Sequence, residues 1–176
     1  DEQGLGKTKI SIDIFLHWLS MNYVDTIVIF TKKILVNNWK KELTMHTNLK
    51  PAVLTSNKDQ NHSLFNSDRR IYISNFEALK SEHENFTFLA QDRNLGVILD
   101  ESAKIKNPES ELTKLFLDYS LLISRKLILT GTPVANRPYD LWSQIFFLDL
   151  GQALGNNFLE FKNNTDLPRK NITDNN

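Results

Sequence analysis

The chain contains no cysteine. Disulfides and thiolate metal sites are therefore excluded. It also lacks charge of either sign in excess: 21 Lys and Arg balance 21 Asp and Glu. A free-standing nucleic-acid binder is usually basic, so this balance argues against tight nucleic-acid binding by the domain alone. It argues less against a domain that forms one wall of a binding groove. No apolar run approaches the ~18 residues that span a bilayer, and the charged, Gly-rich first residues show no secretory leader. Together these absences fit a cytoplasmic, nuclear or nucleoid location, neither secreted nor membrane-bound. Without secretion the triplets Asn85-Phe86-Thr87 and Asn171-Ile172-Thr173 carry no meaning as glycosylation acceptors. Internal repeats and low-complexity blocks are absent.

What is present is the composition of a soluble globular domain. The 176 residues, 40% hydrophobic and 24% charged, suffice for one ordinary domain with a real core. Strands are expected at Thr26-Ile27-Val28-Ile29-Phe30, Pro51 to Thr55, Ile71 to Ser74, Gly96 to Leu99 and Lys126 to Leu129. Helices are expected from Lys7 to Tyr23, with Ile10, Ile14, Leu16 and Leu19 at helical spacing, and from Ile34 to Met45. Further helices are expected through Phe76 and Leu79, from Ser110 to Tyr119, from Tyr139 to Leu148, and over Ala153 to Lys162. Ser56 to Asp68 is polar and reads as a loop. Glu82 to Asn94 has no clear period. Strands alternating with helices predict an α/β fold with a mostly parallel sheet and helices on both faces. Such sheets bind ligands at the carboxyl ends of their strands, and every sharp motif of the chain falls at such an end.

The first motif is Gly4-Leu5-Gly6-Lys7-Thr8. Glycines there let backbone N–H groups approach phosphate oxygens. Lys7 is placed to reach the β- and γ-phosphates of a nucleotide and Thr8 to bind Mg²⁺ through its hydroxyl. The full consensus has another glycine at the position of Asp1, so the strict pattern fails by one residue. A phosphate loop normally follows a buried strand. The chain opens on the loop instead and reads as a fragment lacking its first strand.

The second motif is Asp100-Glu101, after the apolar run Val97-Ile98-Leu99. Two adjacent carboxylates at a strand end are costly to bury without a cation. This points to Asp100 as a metal carboxylate and Glu101 as the residue that orients or deprotonates the attacking water. Either motif alone has a plain alternative, a Gly-rich turn or an acidic turn. In combination they predict binding and hydrolysis of a nucleoside triphosphate. The third motif, Thr130-Gly131-Thr132-Pro133, reads on composition alone as a Gly-Pro turn.

The order and wording of these segments resemble the Swi/Snf family of superfamily-two helicases, relatives of the DEAD/DEAH-box enzymes. Asp1 to Thr8 resembles its motif I, Asp100 to Asn107 its motif II, and Leu129 to Asn136, with Asp140-Leu141-Trp142-Ser143, its motif III. Val28 to Leu43 resembles motif Ia and Ile73 to Glu77 motif Ib. The resemblance covers about residues 1 to 162. It implies a RecA-like P-loop NTPase lobe over 1–150, leaving a helical extension over 151–168 and a polar, disordered tail over 169–176. It implies ATP and Mg²⁺ as cofactors and movement along duplex DNA, with Lys7, Asp100 and Glu101 catalytic. Thr130, Gly131 and Thr132 would couple ATP state to nucleic acid. Lys32, Lys33, Asn75 and Lys106 are candidate nucleic-acid contacts, with Lys40, Lys41 and Lys104 as further lysines of that kind. Trp39 and Trp142 read as core. The family often has alanine and histidine after the acidic pair, where this chain has Ser102 and Ala103. That puts one polar contact toward motif III in doubt. The resemblance also implies a second lobe, absent from this chain, whose arginines reach the γ-phosphate. An RNA helicase and a non-catalytic nucleotide-binding module remain alternative readings. A GTPase does not, because Asn57-Lys58-Asp59-Gln60 ends in the wrong residue to read guanine.

Overall fold

The β-branched runs become the strands of one sheet. The computed structural model describes residues 6–131 and 137–165. In it β1 (Thr26–Thr31), β2 (Ala52–Val53), β3 (Ile71–Asn75), β4 (Leu95–Asp100) and β5 (Arg125–Leu129) pair in the order β2-β3-β1-β4-β5, every pairing parallel. Helices connect them: α1 (Lys7–Ser20), α2 (Val36–His46), α3 (Lys58–Phe65), α4 (Ala78–Ser81), α5 (His83–Asp92), α6 (Glu111–Ser120), α7 (Trp142–Asp149) and α8 (Phe158–Thr165). Among the described residues no helix is long and apolar enough to cross a membrane.

Strand alternation divides the core into two layers. Ile27, Ile29, Ile71, Ile73 and Ile98 pack with Ile12, Phe15 and Leu19 of α1 and with Trp39 and Leu43 of α2. Val28, Phe30, Tyr72, Val97 and Leu99 face the other way, onto Leu79, Phe86, Phe116 and Phe147 of α4, α5, α6 and α7. Both faces are thus covered, which is why the strands read as continuous apolar runs rather than alternating ones.

Three sequence expectations need correction. The segment 56–68 is not a loop, because it carries α3. Asn57 caps that helix by accepting from Gln60 N–H at 3.0 Å. Asn61, fully buried, donates to the Glu82 carboxylate at 2.8 Å and to the Thr55 carbonyl at 2.9 Å. Apolar contact with the core comes from Leu64 and Phe65 at its end, while polar contacts hold its start, so no apolar period marks this helix. On α1 the buried stripe is Ile12, Phe15 and Leu19, while Ile10 is 47% exposed. The last helix begins at Phe158, not Ala153. The unassigned segment 82–94 is largely α5, and Arg93 at its end donates to the carbonyls of Arg69 and Ser67 at 2.7 and 2.9 Å.

At Gly96 α1 comes close to the sheet through Trp18. A Cβ there would lie 2.8 Å from Ile27 Cδ1 and 3.2 Å from Trp18 Cε3. Gly96→Ala is expected to cost about 1–3 kcal/mol through overpacking, measurable by urea unfolding. Unchanged stability would mean that Trp18 shifts freely.

Candidate active site

The strand ends bring the acidic pair, Thr130 and Gly131 of the third motif, and the β1–α2 segment together. Asp100 closes β4, where its Cα registers with Leu129 of β5. Thr130 and Gly131 therefore leave the sheet directly beside the acidic pair. On the other side β1 registers Phe30 with Leu99, which puts Thr31 next to Asp100. The helix that begins at Lys7 ends at Ser20, shortly before β1 starts at Thr26, and its Trp18 lies over Gly96 near the start of β4. Its C-terminus is therefore at the amino edge of the sheet. Running back to Lys7 covers about 16 Å at 1.5 Å per residue, close to the ~13 Å from Gly96 to Asp100 at strand rise. The two motifs thus lie toward the same edge.

Gly6 adopts φ 78°, ψ 20° before α1, a left-handed conformation that costs glycine little. Its carbonyl accepts from Ile10 N–H at 3.0 Å, and the Lys7 carbonyl accepts from Ser11 Oγ at 2.7 Å. Lys7 and Thr8 are each partly buried. Gly4, Leu5 and Thr132 lie outside the described residues, as does the 169–176 tail.

Asp100 is held by two donors. Thr31 Oγ1 and Trp39 Nε1 both donate to its Oδ2, each at 2.8 Å. Trp39 is 1% exposed, as a core residue should be, yet its indole N–H points at the carboxylate. Packing arguments from sequence did not find that contact. Trp142 is also buried, and its Nε1 donates to the Gly155 carbonyl at 3.2 Å. Glu101 has φ 68°, ψ 53°, a left-handed backbone that is strained for a residue with a Cβ. Its Oε2 accepts from Lys32 Nζ at 3.3 Å.

After the acidic pair the chain turns through the 3₁₀ segment Ser102–Ile105. Ser102 Oγ, fully buried, donates to Gln144 Oε1 at 2.7 Å, and Gln144 Nε2 donates to the Asp140 carbonyl at 2.9 Å. A buried polar link therefore runs from the residue after Glu101 to the segment that follows the third motif. It is made by Ser102, although the usual histidine position holds Ala103.

The candidate nucleic-acid residues separate into three places. Lys32, Lys33, Asn75 and Lys104 share one groove with Phe76 and Glu77. Within it Asn75 Oδ1 accepts from Ala78 N–H at 3.0 Å. Lys104 pairs with Glu77 at 2.9 Å, and this bond holds the Glu77 carboxyl below its ordinary range. Lys106 lies apart from that groove, 3.8 Å from Asp140. Lys40 and Lys41 line a separate, more apolar surface of α2 with Thr44 and Met45.

Comparison with known proteins bears on the fold and the family. The family model of the SNF2-related domain matches residues 1–176. The ISWI chromatin-remodeling complex ATPase ISW1 of Saccharomyces cerevisiae is 28% identical over 84% of this chain, and the ATP-dependent helicase BRM of Arabidopsis thaliana is 34% identical over 84%. The chain spans 13% and 7% of the lengths of these two relatives. The solved Sulfolobus solfataricus SWI2/SNF2 ATPase core in complex with dsDNA superimposes with a TM-score of 0.77. It is 26% identical, over 93% of this chain and 33% of that one. Its likeness matches the all-parallel sheet with helices on both faces. This chain belongs to the SNF2-related domain family.

Proposed function

We propose that the chain is the ATP-binding lobe of an ATP-dependent DNA translocase of the Swi/Snf type, with residues 1–150 as the RecA-like lobe and 151–168 as a helical extension. The observation that carries this reading is the meeting of three strand ends. β4 delivers Asp100 and Glu101, β5 delivers Thr130 and Gly131 beside them, and β1 leads into the groove of Lys32 and Lys33.

In this reading residues 4–8 wrap the phosphates, with Gly6 supplying the left-handed turn and Lys7 the ammonium. Thr8 and Asp100 would hold Mg²⁺. Among the described residues no group of three His, Asp or Glu gathers to hold a metal unaided, which suits an ion that keeps waters and shares nucleotide phosphates. The donor geometry fits too, since both bonds to Asp100 fall on Oδ2 and leave Oδ1 for a ligand. When bound, the ion neutralises charge developing on the phosphoryl oxygens. Glu101 orients the attacking water and accepts its proton at a carboxylate oxygen. Lys32 and Lys33, on the rim, meet the nucleic-acid backbone, with Asn75 beside them in the same groove and Lys106 set apart. Thr130, Gly131 and Thr132 pass the state of the nucleotide to that surface.

The test is ATP turnover by the full-length protein with duplex DNA, with RNA and with neither. Stimulation by duplex DNA is expected, and stimulation by RNA alone would favour the RNA-helicase reading. Lys7→Ala should weaken ATP binding by at least about tenfold, since it removes a charge-assisted contact worth roughly 1.5–3 kcal/mol. Undiminished binding would remove Lys7 from the site.

A further inference from the structure

Asp100 is not merely placed at a strand end; it is gripped. We propose that Thr31 and Trp39 are positioning residues that fix the Asp100 carboxylate for its metal, a role that rests on the reading of Asp100 given above. The two donors come from different elements. Thr31 is the last residue of β1 and Trp39 stands in the first turn of α2, with the 3₁₀ turn Lys33–Leu35 between them. Both are buried, at 0% and 1% exposure, so water reaches these bonds only from the side of Asp100, which is partly buried.

The chemistry of the two donors suits this role. An indole N–H can only donate, so Trp39 cannot reverse its bond and serve the protonated form of Oδ2. A buried tryptophan normally finds a partner for that hydrogen, but backbone carbonyls satisfy it as well, as Gly155 does for Trp142. Here the partner is one carboxylate oxygen that already accepts from Thr31. Two charge-assisted bonds of normal length on one oxygen restrain the carboxylate and, among the described residues, leave its second oxygen to reorganise around a cation. Such outer partners orient a metal ligand, and their loss typically costs 10–100-fold in metal affinity or activity. The packing of Trp39 against Leu43 and the isoleucines of β1 and β3 supplies the rigidity that a positioning group needs.

The experiment compares Thr31→Val, Thr31→Ser and Trp39→Phe in the full-length protein. Val keeps the shape of threonine without its hydroxyl, Ser keeps the hydroxyl, and Phe keeps an aromatic ring without the indole N–H. Mn²⁺ binding to the nucleotide complex is read by electron paramagnetic resonance, and metal-free nucleotide binding and thermal unfolding are measured alongside. Thr31→Val and Trp39→Phe should each weaken Mn²⁺ binding about tenfold and leave metal-free nucleotide binding unchanged, and Thr31→Ser should restore near-normal Mn²⁺ affinity. Unchanged Mn²⁺ affinity in Thr31→Val and Trp39→Phe, with only a lower unfolding temperature, would overturn the proposal and leave packing as their role. Asp100→Asn distinguishes the deeper failure. If it binds Mn²⁺ normally, Asp100 is not the metal carboxylate and the underlying reading falls first.

Discussion

Glu101→Gln in the full-length protein is expected to bind ATP normally and to lose about 10²–10⁴-fold in turnover, the usual contribution of a positioned general base. The substitution keeps the size and hydrogen-bonding reach of the side chain but removes its ability to accept a proton. It also removes the charge facing Lys32, whose Nζ lies 3.3 Å from Oε2. That pair is half open to solvent, with Lys32 54% exposed, and exposed pairs contribute at most about 1 kcal/mol. The fold should therefore survive with an unfolding temperature near that of the unaltered protein, and the loss of turnover cannot be assigned to unfolding. The left-handed backbone of Glu101 strengthens the expectation. A non-glycine residue in that region costs roughly 1–3 kcal/mol, and such residues cluster at active sites, although Asn22 and Leu150 share the conformation outside this one. Turnover within a few-fold of normal would remove Glu101 from the chemistry.

How much of this was legible in the sequence depends on whether the signal is local. β1, β3, β4 and β5 each read as apolar runs because a parallel sheet covered on both faces demands them. Asp100 and Glu101 were legible because they are consecutive and end such a run. α3 was not, because Asn57 and Asn61 hold its start through hydrogen bonds and its core contacts, Leu64 and Phe65, are adjacent at its end, which leaves no apolar period. α1 was legible as a helix, and Leu19 lies in its buried stripe, but Ile10 is exposed where Ile12 and Phe15 are fully buried, since Ile10 and Ile12 differ by orientation and not by hydrophobicity. The partners of Asp100 are 69 and 61 positions away in Thr31 and Trp39, and nothing local marks them. Trp39 shows the limit most clearly. Its burial follows from its helical position next to apolar neighbours, but the direction of its N–H is set by where β4 ends. The Ser102–Gln144 bond is of the same kind, joining residues 42 positions apart. A motif departure at 102 and 103 signalled that something had changed there, and only the fold shows what the serine contacts.

Phe30→Ala should destabilise the protein by about 3–5 kcal/mol. Phe30 is fully buried and sits among Phe116, Phe86, Phe76 and Tyr119, with ring centroids at 4.9, 5.1, 6.4 and 6.5 Å. Removing the ring leaves a cavity bordered by other rings that cannot all turn to fill it, so the cost falls toward the upper end of that range. At roughly 2–4 °C per kcal/mol for a domain of this size, the unfolding midpoint should drop by about 6–20 °C. Thermal unfolding checks this, and a drop of only a degree or two would show that the aromatic layer repacks. The same residue also connects the core to the chemistry. Phe30 registers with Leu99 on one side and Ser74 on the other, and the next residue is Thr31, whose hydroxyl holds Asp100. A loosened β1 should therefore weaken nucleotide-dependent Mn²⁺ binding even at temperatures where Phe30→Ala remains folded. Thr31→Val should weaken it with little loss of stability. The two variants separate what the core supplies, a fixed strand end, from what the hydroxyl supplies, a fixed carboxylate.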